Sequence, residues 1–258
     1  MKIKYIVVIP ARYGSSRLEG KPLLDIAGKS MINRVYEQAS KSAADRVLVA
    51  TDDLRIADAV AAFGGDVVMT SATHSSGTDR LHEVAERLGF AEDTIVVNVQ
   101  GDEPLIPPQV IDQVARNLAD RPQLGVATLC ENIATYADFM NPNVVKVVTD
   151  TNRLALYFSR AAIPWPRDHF KNGLQTLPQA CVAQRHIGLY AYRVRTLKQF
   201  VGWPMAPLEA LEALEQLRFL WHGEAIHVAE AGTPVPGGVD TFDDLHRVTA
   251  LLRRDTAQ

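Results

Sequence analysis

The sequence predicts an α/β protein of three layers, in which a doubly wound parallel sheet lies between two layers of helices. Strand and helix patterns alternate through the first half of the 258 residues. The stretch 95–99 reads IVVNV and is almost wholly apolar, as expected of a strand in a parallel sheet covered on both faces. The connections between these patterns are short, which is typical of successive β–α units.

The first half supplies the alternating units of this sheet. We expect strands at residues 5–9, 46–50, 66–69, 94–99 and 126–129. We expect helices between them at residues 31–41, 54–63, 78–88 and 108–118. Ligands of such sheets bind beyond the carboxyl ends of the strands. The segments 10–21 and 100–104, which each follow a strand, are therefore expected to meet in one cleft.

The pattern changes from Asn143 onward. We expect strands at 144–148, 155–158, 186–193 and 226–229, helices at 208–222 and 241–254, and a polar surface segment at 168–179. The helix 208–222 would carry on or beside its polar face Glu209, Glu212, Glu215, Gln216 and Arg218. We interpret the middle region as an insertion that forms a lid or a dimer interface within one domain. The tryptophans expected in the core or at an interface are Trp165, Trp203 and Trp221.

Composition and charge narrow the functional class. Hydrophobic residues make up 47% and charged residues 22% of the chain, as in an ordinary globular enzyme. The net charge of −3 gives no sign of a nucleic-acid or anionic-membrane partner. No apolar run approaches the roughly 18 residues of a membrane span and no signal-peptide pattern is present, so we expect a cytoplasmic protein. Cys130 and Cys181 form no metal or disulfide framework, and each is expected to be a small buried residue.

The segment 10–22, PARYGSSRLEGKP, follows the first predicted strand. It places three cations, Arg12, Arg17 and Lys21, among small residues that let backbone N–H groups approach a ligand. Permanent cations on such a loop suit a polyphosphate, and a polar surface turn is the weaker alternative. The loop lacks the G-x-G-x-x-G of dinucleotide-binding folds, and the GKS at 28–30 lacks the first glycine of a P-loop.

Two aspartates occupy glycine-flanked positions near the ends of predicted elements. Asp102 lies in QGDEP after the strand 94–99, and Asp240 lies in GGVDT before the last helix. Taken singly, Asp102 would cap a turn and Asp240 would be the N-cap of that helix. Beside a phosphate-binding loop they favour a divalent metal site, because Mg²⁺ takes few protein ligands and several phosphate oxygens. Glu103 is a weaker ligand candidate than either aspartate.

Two further groups of residues carry a functional and a structural interpretation. The stretch 75–80, SSGTDR, begins a helix whose N–H groups and Arg80 would bind an anion or form a capping box. Arg160, His186 and Tyr190 lie on strand patterns, and the last two, four residues apart, share a face. Singly each is a packing or surface residue, whereas together they suit an acidic, hydroxyl-rich acceptor.

Nine segments, in order, resemble the 3-deoxy-manno-octulosonate cytidylyltransferase (CMP-Kdo synthetase) family. They are IPARYGSSRLEGKP (9–22), VATDD (49–53), SSGTDRL (75–81), VNVQGDEPLIP (97–107), NPNVVKVV (141–148), ALYFSRAAIPW (155–165), RHIGLYAYR (185–193), PLEALEALEQLR (207–218) and GVDTFDDL (238–245). The resemblance implies a nucleotidyltransferase sandwich with a mixed, mostly parallel sheet and a dimerising insertion. Residues 1–258 then form one domain, with a nucleotide-binding half at 1–130, a sugar-binding and dimerisation half at 131–258, and a homodimeric assembly.

The same resemblance implies the reaction of CTP with the sugar acid Kdo to give CMP-Kdo and pyrophosphate, with Mg²⁺. This reaction activates Kdo for lipopolysaccharide synthesis. The implied catalytic residues are Arg12, Lys21, Asp102 and Asp240, the two aspartates being the metal ligands. The implied nucleotide-binding residues are Pro10, Ala11, Arg12, Lys21, Ser76, Gly77, Arg80 and Gln100. The implied substrate-binding residues are Arg17, Gln100, Arg160, His186, Tyr190, Glu215 and Gln216.

Two alternatives stay open at this point. The first is a cytidylyltransferase for another sugar acid, such as 8-amino-Kdo or sialic acid, because motifs in the first half do not separate these substrates. The second is a nucleotide-binding protein without turnover on the same scaffold, since a fold does not fix a function. The presence of Lys21, Asp102 and Asp240 argues against the second alternative.

Overall fold

The computed structural model describes residues 3–14, 18–74, 76–171, 173–178 and 182–255, without the side chains of 254 and 255. The strands are β1 Tyr5–Ala11, β2 Asp25–Ile26, β3 Lys29–Ser30, β4 Arg46–Thr51, β5 Asp66–Met69, β6 Ile95–Asn98, β7 Val126–Asn132, β8 Lys146–Thr149, β9 Ala155–Ser159, β10 Gln184–Arg193 and β11 Ile226–Glu230. The helices are α1 Met31–Ser40, α2 Leu54–Ala62, α3 Gly77–Arg87, α4 Pro108–Ala119, α5 Tyr136–Met140, α6 Arg167–Phe170, α7 Val194–Gly202, α8 Pro207–Glu212, α9 Leu217–Trp221 and α10 Phe242–Asp255.

The central sheet is mixed and mostly parallel. Its main path runs β11-β7-β10-β6-β1-β4-β5, and β8 pairs with both β10 and β9. Along this path the strands pair parallel, except that β10 is antiparallel to its neighbours β6 and β7. The predicted mixed, mostly parallel sheet is confirmed, and β10 is the strand that interrupts the parallel order.

Two apolar cores cover the two faces of this sheet, which gives the predicted three layers. Val7 and Ile9 of β1 belong to one core, whereas Val8 between them belongs to the other. Helices α1, α2 and α4 contribute to the first core, and helices α3, α7 and α9 to the second. Both faces of β1 are therefore buried, as its apolar sequence requires.

The last helix, α10, packs against the β2–β3 hairpin. Val239 and Val248 are buried in a small cluster with Ile26 of the β2–β3 hairpin and with Leu18. This packing anchors the segment before α10 against the loop that follows β1. The C-terminal segment is thus brought to the same edge as the cationic loop.

The predicted helix over 208–222 is wrong in its continuity. The structure has two short helices, α8 and α9, separated at Ala213, which adopts a left-handed conformation with φ 50° and ψ 50°. The pair Glu209–Arg218 is buried, with Arg218 Nη2 2.5 Å from Glu209 Oε1, instead of lying on a solvated helix face. Helices α5, α6 and α7 and the short strands β2 and β3 were not expected from the sequence.

Three smaller expectations have mixed outcomes. Trp165 and Trp221 are more than half exposed, so neither is a core residue. Cys130 is buried and free, as expected, whereas Cys181 lies outside the described residues. Among the described residues, no helix combines the length and apolar composition needed to cross a membrane.

Candidate active site

The loops after β1 and β6 meet because these two strands are parallel neighbours. Val8 of β1 pairs with Asn98 of β6, so both chains leave the sheet at the same edge. Immediately beyond, a Cβ atom on Gly101 would lie 2.8 Å from the carbonyl oxygen of Pro10. Only glycine permits this backbone approach without a local shift. The predicted meeting of segments 10–21 and 100–104 is confirmed.

Lys21 joins the two aspartates that the sequence singled out. Its Nζ lies 2.6 Å from Asp102 Oδ2 and 3.1 Å from Asp240 Oδ1. The lysine side chain is only 12% exposed, whereas the aspartates are 35% and 53% exposed. The two carboxylates therefore lie around one ammonium group and remain partly exposed. The cationic loop and both aspartates converge, as the sequence predicted.

The position of Asp240 comes from a backbone contact with the loop after β6. The N–H of Val239 donates to the carbonyl of Asp102 at 2.9 Å. A Cβ atom on Gly238 would lie 3.0 Å from that same oxygen, so a larger residue there would push the two segments apart. Asp240 follows Val239 directly in the chain, so this hydrogen bond places its carboxylate beside Lys21.

The alternative role of Asp240 as the N-cap of the last helix is not what the structure shows. Thr241 Oγ1 accepts from the N–H of Asp244 at 3.2 Å, and Asp244 Oδ2 accepts from the N–H of Thr241 at 3.1 Å. This reciprocal pair is a capping box centred on Thr241. The carboxylate of Asp240 is thus directed to Lys21 and is not needed to begin the helix.

Asp102 and Asp240 are the residues that could hold a divalent cation. Within the described ranges no cluster of three or more acidic, histidine or cysteine side chains forms a complete metal cage. Mg²⁺ needs no such cage, since it binds through one or two carboxylates together with substrate phosphates and water. The donor set therefore fits Mg²⁺ and does not fit a metal that demands several protein nitrogen or sulfur ligands.

Glu103, adjacent to Asp102, differs from both aspartates in its environment. Its Oε2 atom is buried and has no hydrogen-bond partner in the described part of the chain. Burial, with the nearby charges of Asp102 and Asp240, raises the pKa of Glu103 to about 8, although Arg185 opposes the shift. Near neutral pH this carboxyl is largely protonated, unlike an ordinary metal ligand.

A cavity of about 320 Å³ opens between the loop after β1 and the start of α3. Its lining residues are Pro10, Ala11, Arg12, His74, Ser76, Gly77, Arg80, Gln100 and Glu215. We call it the first cavity. Every predicted nucleotide-binding residue except Lys21 lines it, and Lys21 lies at the aspartates.

The structure confirms the capping-box interpretation of the helix start at Ser76, and the anion-binding interpretation stays a prediction. Ser76 Oγ accepts from the N–H of Asp79 at 3.2 Å, and Asp79 Oδ2 accepts from the N–H of Ser76 at 3.0 Å, which is a capping box. Ser76 also lines the first cavity with Arg80, whose guanidinium is buried 3.2 Å from Asp52. The ion pair holds Arg80 at the cavity wall. Ser75 lies outside the described residues.

A second cavity, of about 290 Å³, continues from the first. Its lining residues are Gly77, Asn98, Gln100, His186, Gly188, Tyr190, Tyr192, Glu215 and Gln216. Three of these residues, Gly77, Gln100 and Glu215, line both cavities. Five predicted sugar-binding residues are thus brought together: Gln100, His186, Tyr190, Glu215 and Gln216.

His186 and Tyr190 lie on one face, as their spacing predicted, with ring centroids 5.3 Å apart. Between them β10 bulges at residues 188 and 189, where its register against β7 shifts. Thr128 of β7 stabilises the bulge, because its Oγ1 lies 3.0 Å from the carbonyl of Ile187 and 2.8 Å from that of Leu189. The bulge leaves Gly188 facing the second cavity between the two rings.

The ionisable groups of the second cavity favour neutral forms. Burial, assisted by the charge of Arg185, lowers the pKa of His186 to about 3, so the imidazole is neutral at physiological pH. Burial also raises the pKa of Glu215, whose Oε1 accepts a hydrogen bond from Thr78. A substrate carboxylate would therefore meet no histidine cation here.

Arg160 lies outside both cavities and is bound by backbone carbonyl groups. Its Nε lies 2.7 Å from the carbonyl of Glu212, and its two Nη atoms lie 3.1 Å from that of Pro142 and 3.3 Å from that of Ala213. Glu212 in turn accepts from Ser159 Oγ at 2.6 Å and from the N–H of Arg160 at 2.9 Å. Arg160 thus supports the break between α8 and α9. Arg17, the other predicted arginine, lies outside the described residues.

Sequence reasoning missed Asn98, Tyr192 and Thr128. Tyr192 lines the second cavity and stacks on Tyr190, with centroids 5.4 Å apart and ring planes 6° from parallel. Asn98 could have been found from the sequence. It alternates with two buried valines along its strand, which predicts that its polar side chain projects from the opposite face. Thr128 had no such signal, since its role depends on a bulge in the neighbouring strand.

Comparisons with known proteins agree with this geometry. The model of a family described as cytidylyltransferase matches residues 6–226. The 3-deoxy-manno-octulosonate cytidylyltransferase of Cellvibrio japonicus is 64% identical over 97% of this chain and 98% of its own length. The enzyme of the same name from Pseudomonas syringae pv. syringae is 58% identical over 98% of this chain and 99% of its own.

A solved structure extends the agreement to the backbone. CMP:2-keto-3-deoxy-manno-octonic acid synthetase complexed with CTP superposes with a TM-score of 0.89 at 45% identity, covering 98% of this chain and 99% of that chain. The similarity therefore spans both cavities and the loops that connect them. The chain belongs to the 3-deoxy-manno-octulosonate cytidylyltransferase family.

Proposed function

We propose that this enzyme transfers the CMP group of CTP to the acid sugar Kdo, giving CMP-Kdo and pyrophosphate. The observation that carries the proposal is the convergence of Lys21, Asp102 and Asp240 at the edge where the loop after β1 borders the first cavity. The relatives carry the name of this activity, and the similar solved structure is described as complexed with CTP. The second cavity adjoins the first and supplies space for an acceptor.

In this reaction the anomeric 2-hydroxyl of Kdo attacks the α-phosphorus of CTP in line with the departing pyrophosphate. The bond between the α-phosphorus and the oxygen that bridges to the β-phosphate breaks, pyrophosphate leaves with that electron pair, and the proton of the attacking hydroxyl is released to solvent. Arg12 and Lys21 offset the negative charge that develops on the phosphates. Lys21 has three N–H donors, and its contacts with the two aspartates leave one for a phosphate oxygen.

Mg²⁺ is the proposed cofactor, with Asp102 and Asp240 as its protein ligands. Bound there, it would neutralise phosphate charge and lower the pKa of the attacking hydroxyl. Both aspartates are partly exposed and already share one cationic neighbour, which supports their use as ligands for a second cation. No histidine base is needed, in keeping with the neutral form of His186 at physiological pH.

The function is tested by a pyrophosphate-release screen in which each nucleoside triphosphate is combined with each sugar acid. We expect CTP with Kdo to give the highest kcat/KM, and omission of metal to abolish the signal. A higher kcat/KM with 8-amino-Kdo or sialic acid would reassign the acceptor, and release from CTP without any acceptor would contradict transfer. No release with any pair would support a nucleotide-binding protein without turnover.

We further propose a homodimer that acts in the cytoplasm and supplies activated Kdo for lipopolysaccharide synthesis. The second half of the chain exposes the large apolar side chains of Leu156, Trp165 and Val182, which supports an interface on the predicted insertion. Sedimentation equilibrium measures the mass directly. A dimer that dissociates in Leu156→Glu would support this interface, and a wild-type monomer would contradict it.

A further inference from the structure

We infer that Asn98 is a specificity-determining residue that hydrogen-bonds the acid sugar, an inference that rests on the proposed function. Asn98 ends β6, is 3% exposed and lines the second cavity. Its Oδ1 atom is buried without a hydrogen-bond partner in the part of the chain that the structure describes. Because buried polar groups are nearly always paired, an unpaired one at a cavity wall points to a missing ligand.

Strand geometry fixes the direction of this side chain. Val97 and Val99 are fully buried in the first core, so Asn98 and Gln100 project from the opposite face of the same segment. Both amides line the second cavity, and Gln100 Nε2 lies 3.4 Å from the carbonyl of Gly188 across it. Two neutral amides therefore lie along one wall.

A second unpaired group faces Asn98 across the sheet. Tyr190 of β10 is the residue directly opposite Asn98 in the antiparallel ladder. Its hydroxyl is likewise buried without a hydrogen-bond partner among the described residues. Two unsatisfied polar atoms on opposed residues of one cavity indicate a single ligand that satisfies both.

The chemistry of these groups suits a polyhydroxylated substrate. A carboxamide offers one acceptor and two donors, and a phenol hydroxyl both donates and accepts. Neither group carries charge, so they recognise hydroxyl groups by direction and distance. An analogue that lacks the matching hydroxyl would leave the protein groups unpaired, which is the situation that gives strong discrimination.

A purely structural role for Asn98 makes the opposite prediction. An amide that stabilised the strand would be hydrogen-bonded, and its replacement by an apolar residue would lower the melting temperature. Since Oδ1 is unpaired, Asn98→Val removes an unsatisfied group and introduces a residue with high strand propensity. The melting temperature of Asn98→Val is therefore expected to match or exceed that of the wild type.

The test measures steady-state pyrophosphate release and thermal unfolding of the full chain. Asn98→Val is expected to raise the KM for Kdo about tenfold, or ~1.4 kcal/mol, while the KM for CTP stays within about twofold. Asn98→Asp keeps the size of the side chain but removes both amide N–H donors, so a rise in the KM for Kdo is expected here too. The matched control is Asn117→Leu, because the Asn117 Nδ2 is also buried and unpaired but lies on α4, away from the cavity.

Four outcomes distinguish a failure of this inference from a failure of the proposed function. An unchanged KM for Kdo in both Asn98 variants overturns this inference alone, as does an equal rise in Asn117→Leu. A wild type that turns over no CTP with Kdo overturns the proposed function and this inference with it. If Asn98→Val unfolds, which contradicts the stability argument, Asn98→Asp still reports the KM for Kdo.

Discussion

The first and second cavities share three residues but differ in how they would recognise a ligand. The first is bordered by the exposed cation Arg12 and the buried cation Arg80, with Lys21 and its aspartates at the adjoining edge. The second is lined by residues of β6 and β10 together with Glu215 and Gln216 between α8 and α9, and the pKa of its histidine is lowered to about 3. The two cavities together form one groove. Its charged end is the first cavity, and its neutral, desolvated end is the second cavity.

This difference separates two kinds of recognition within one site. Permanent cations attract a triphosphate through Coulomb forces that tolerate small displacements. Neutral buried groups contribute binding free energy only when each of their hydrogen bonds is made, so they discriminate between similar sugars. Changes at the charged end are therefore expected to affect turnover and CTP, and changes at the neutral end to affect the KM for the sugar.

The largest effect is expected from Asp102→Asn. This change keeps the shape of the side chain but removes the charge that faces Lys21 and a bound cation. We expect kcat to fall roughly 10²–10³-fold, with the KM for CTP within a few-fold, because the lost interaction strengthens in the transition state. Asp243→Asn, at an exposed position in the first turn of α10, is the matched control. Parallel losses in kcat and CTP affinity would contradict a transition-state role.

A smaller effect is expected from Lys21→Met. The methionine keeps much of the apolar stem but leaves Asp102 and Asp240 without their shared cation. We expect kcat/KM for CTP to fall about 10- to 100-fold, since one charge-assisted contact with the phosphates is lost. Lys29→Met, which removes an exposed lysine paired with Glu37, is expected to change neither constant. An unchanged kcat and KM for CTP in Lys21→Met would refute the phosphate role.

The residues of the charged end could be predicted from the sequence because the motifs that carry them directly follow recognisable strands. Each of the loops carrying Arg12, Lys21 and Asp102 follows a buried parallel strand, and such strand ends share one edge. Their meeting follows from strand order alone. The sequence singled out Asp240 by its glycine-flanked position before the last helix, whereas its place beside Lys21 depends on the backbone contact between Val239 and Asp102.

The neutral end was harder to predict because it depends on tertiary contacts. The segment 207–218 consists largely of strong helix formers, yet Ala213 adopts a left-handed conformation that disfavours alanine. The buried pair Glu209–Arg218 and the bonds from Arg160 override the local preference. No pattern in the segment itself reveals those partners.

Arg160→Met tests whether the break between α8 and α9 positions the residues that would bind the sugar. Arg160 binds the carbonyls of Glu212 and Ala213, which lie three residues before Glu215 and Gln216, respectively. We expect the KM for Kdo to rise roughly tenfold with little change in the KM for CTP, because two side chains of the second cavity lose their support. Arg167→Met is the control, since Arg167 is highly exposed on α6.

A second variant distinguishes support from direct contact. Glycine adopts the left-handed conformation without strain, so Ala213→Gly is expected to restore part of the lost Kdo affinity in the Arg160→Met background. If Arg160 instead binds the sugar directly, Ala213→Gly leaves the KM unchanged from that of Arg160→Met. Melting temperatures of the single and double variants check that the fold is retained.

The smallest effect concerns pH and His186. Because burial lowers the pKa of His186 to about 3, its imidazole is neutral in the folded protein at every pH from 6 to 8. Raising the pH therefore removes no proton from it, and lowering the pH to 6 adds none. The ratio of the KM for Kdo between His186→Asn and the wild type should stay constant within about twofold across this range.

The competing idea is an imidazolium that pairs with the carboxylate of the sugar. In that case the wild type alone would lose affinity as the pH rises, and the ratio would fall toward one at pH 8. Measuring KM at pH 6, 7 and 8 in one buffer series decides between them, because pH effects from other groups occur in both proteins and cancel in the ratio. A constant ratio supports recognition of the sugar by neutral hydrogen bonds in the second cavity. A strong decline would instead show that a protonated His186 pairs with the carboxylate of the sugar.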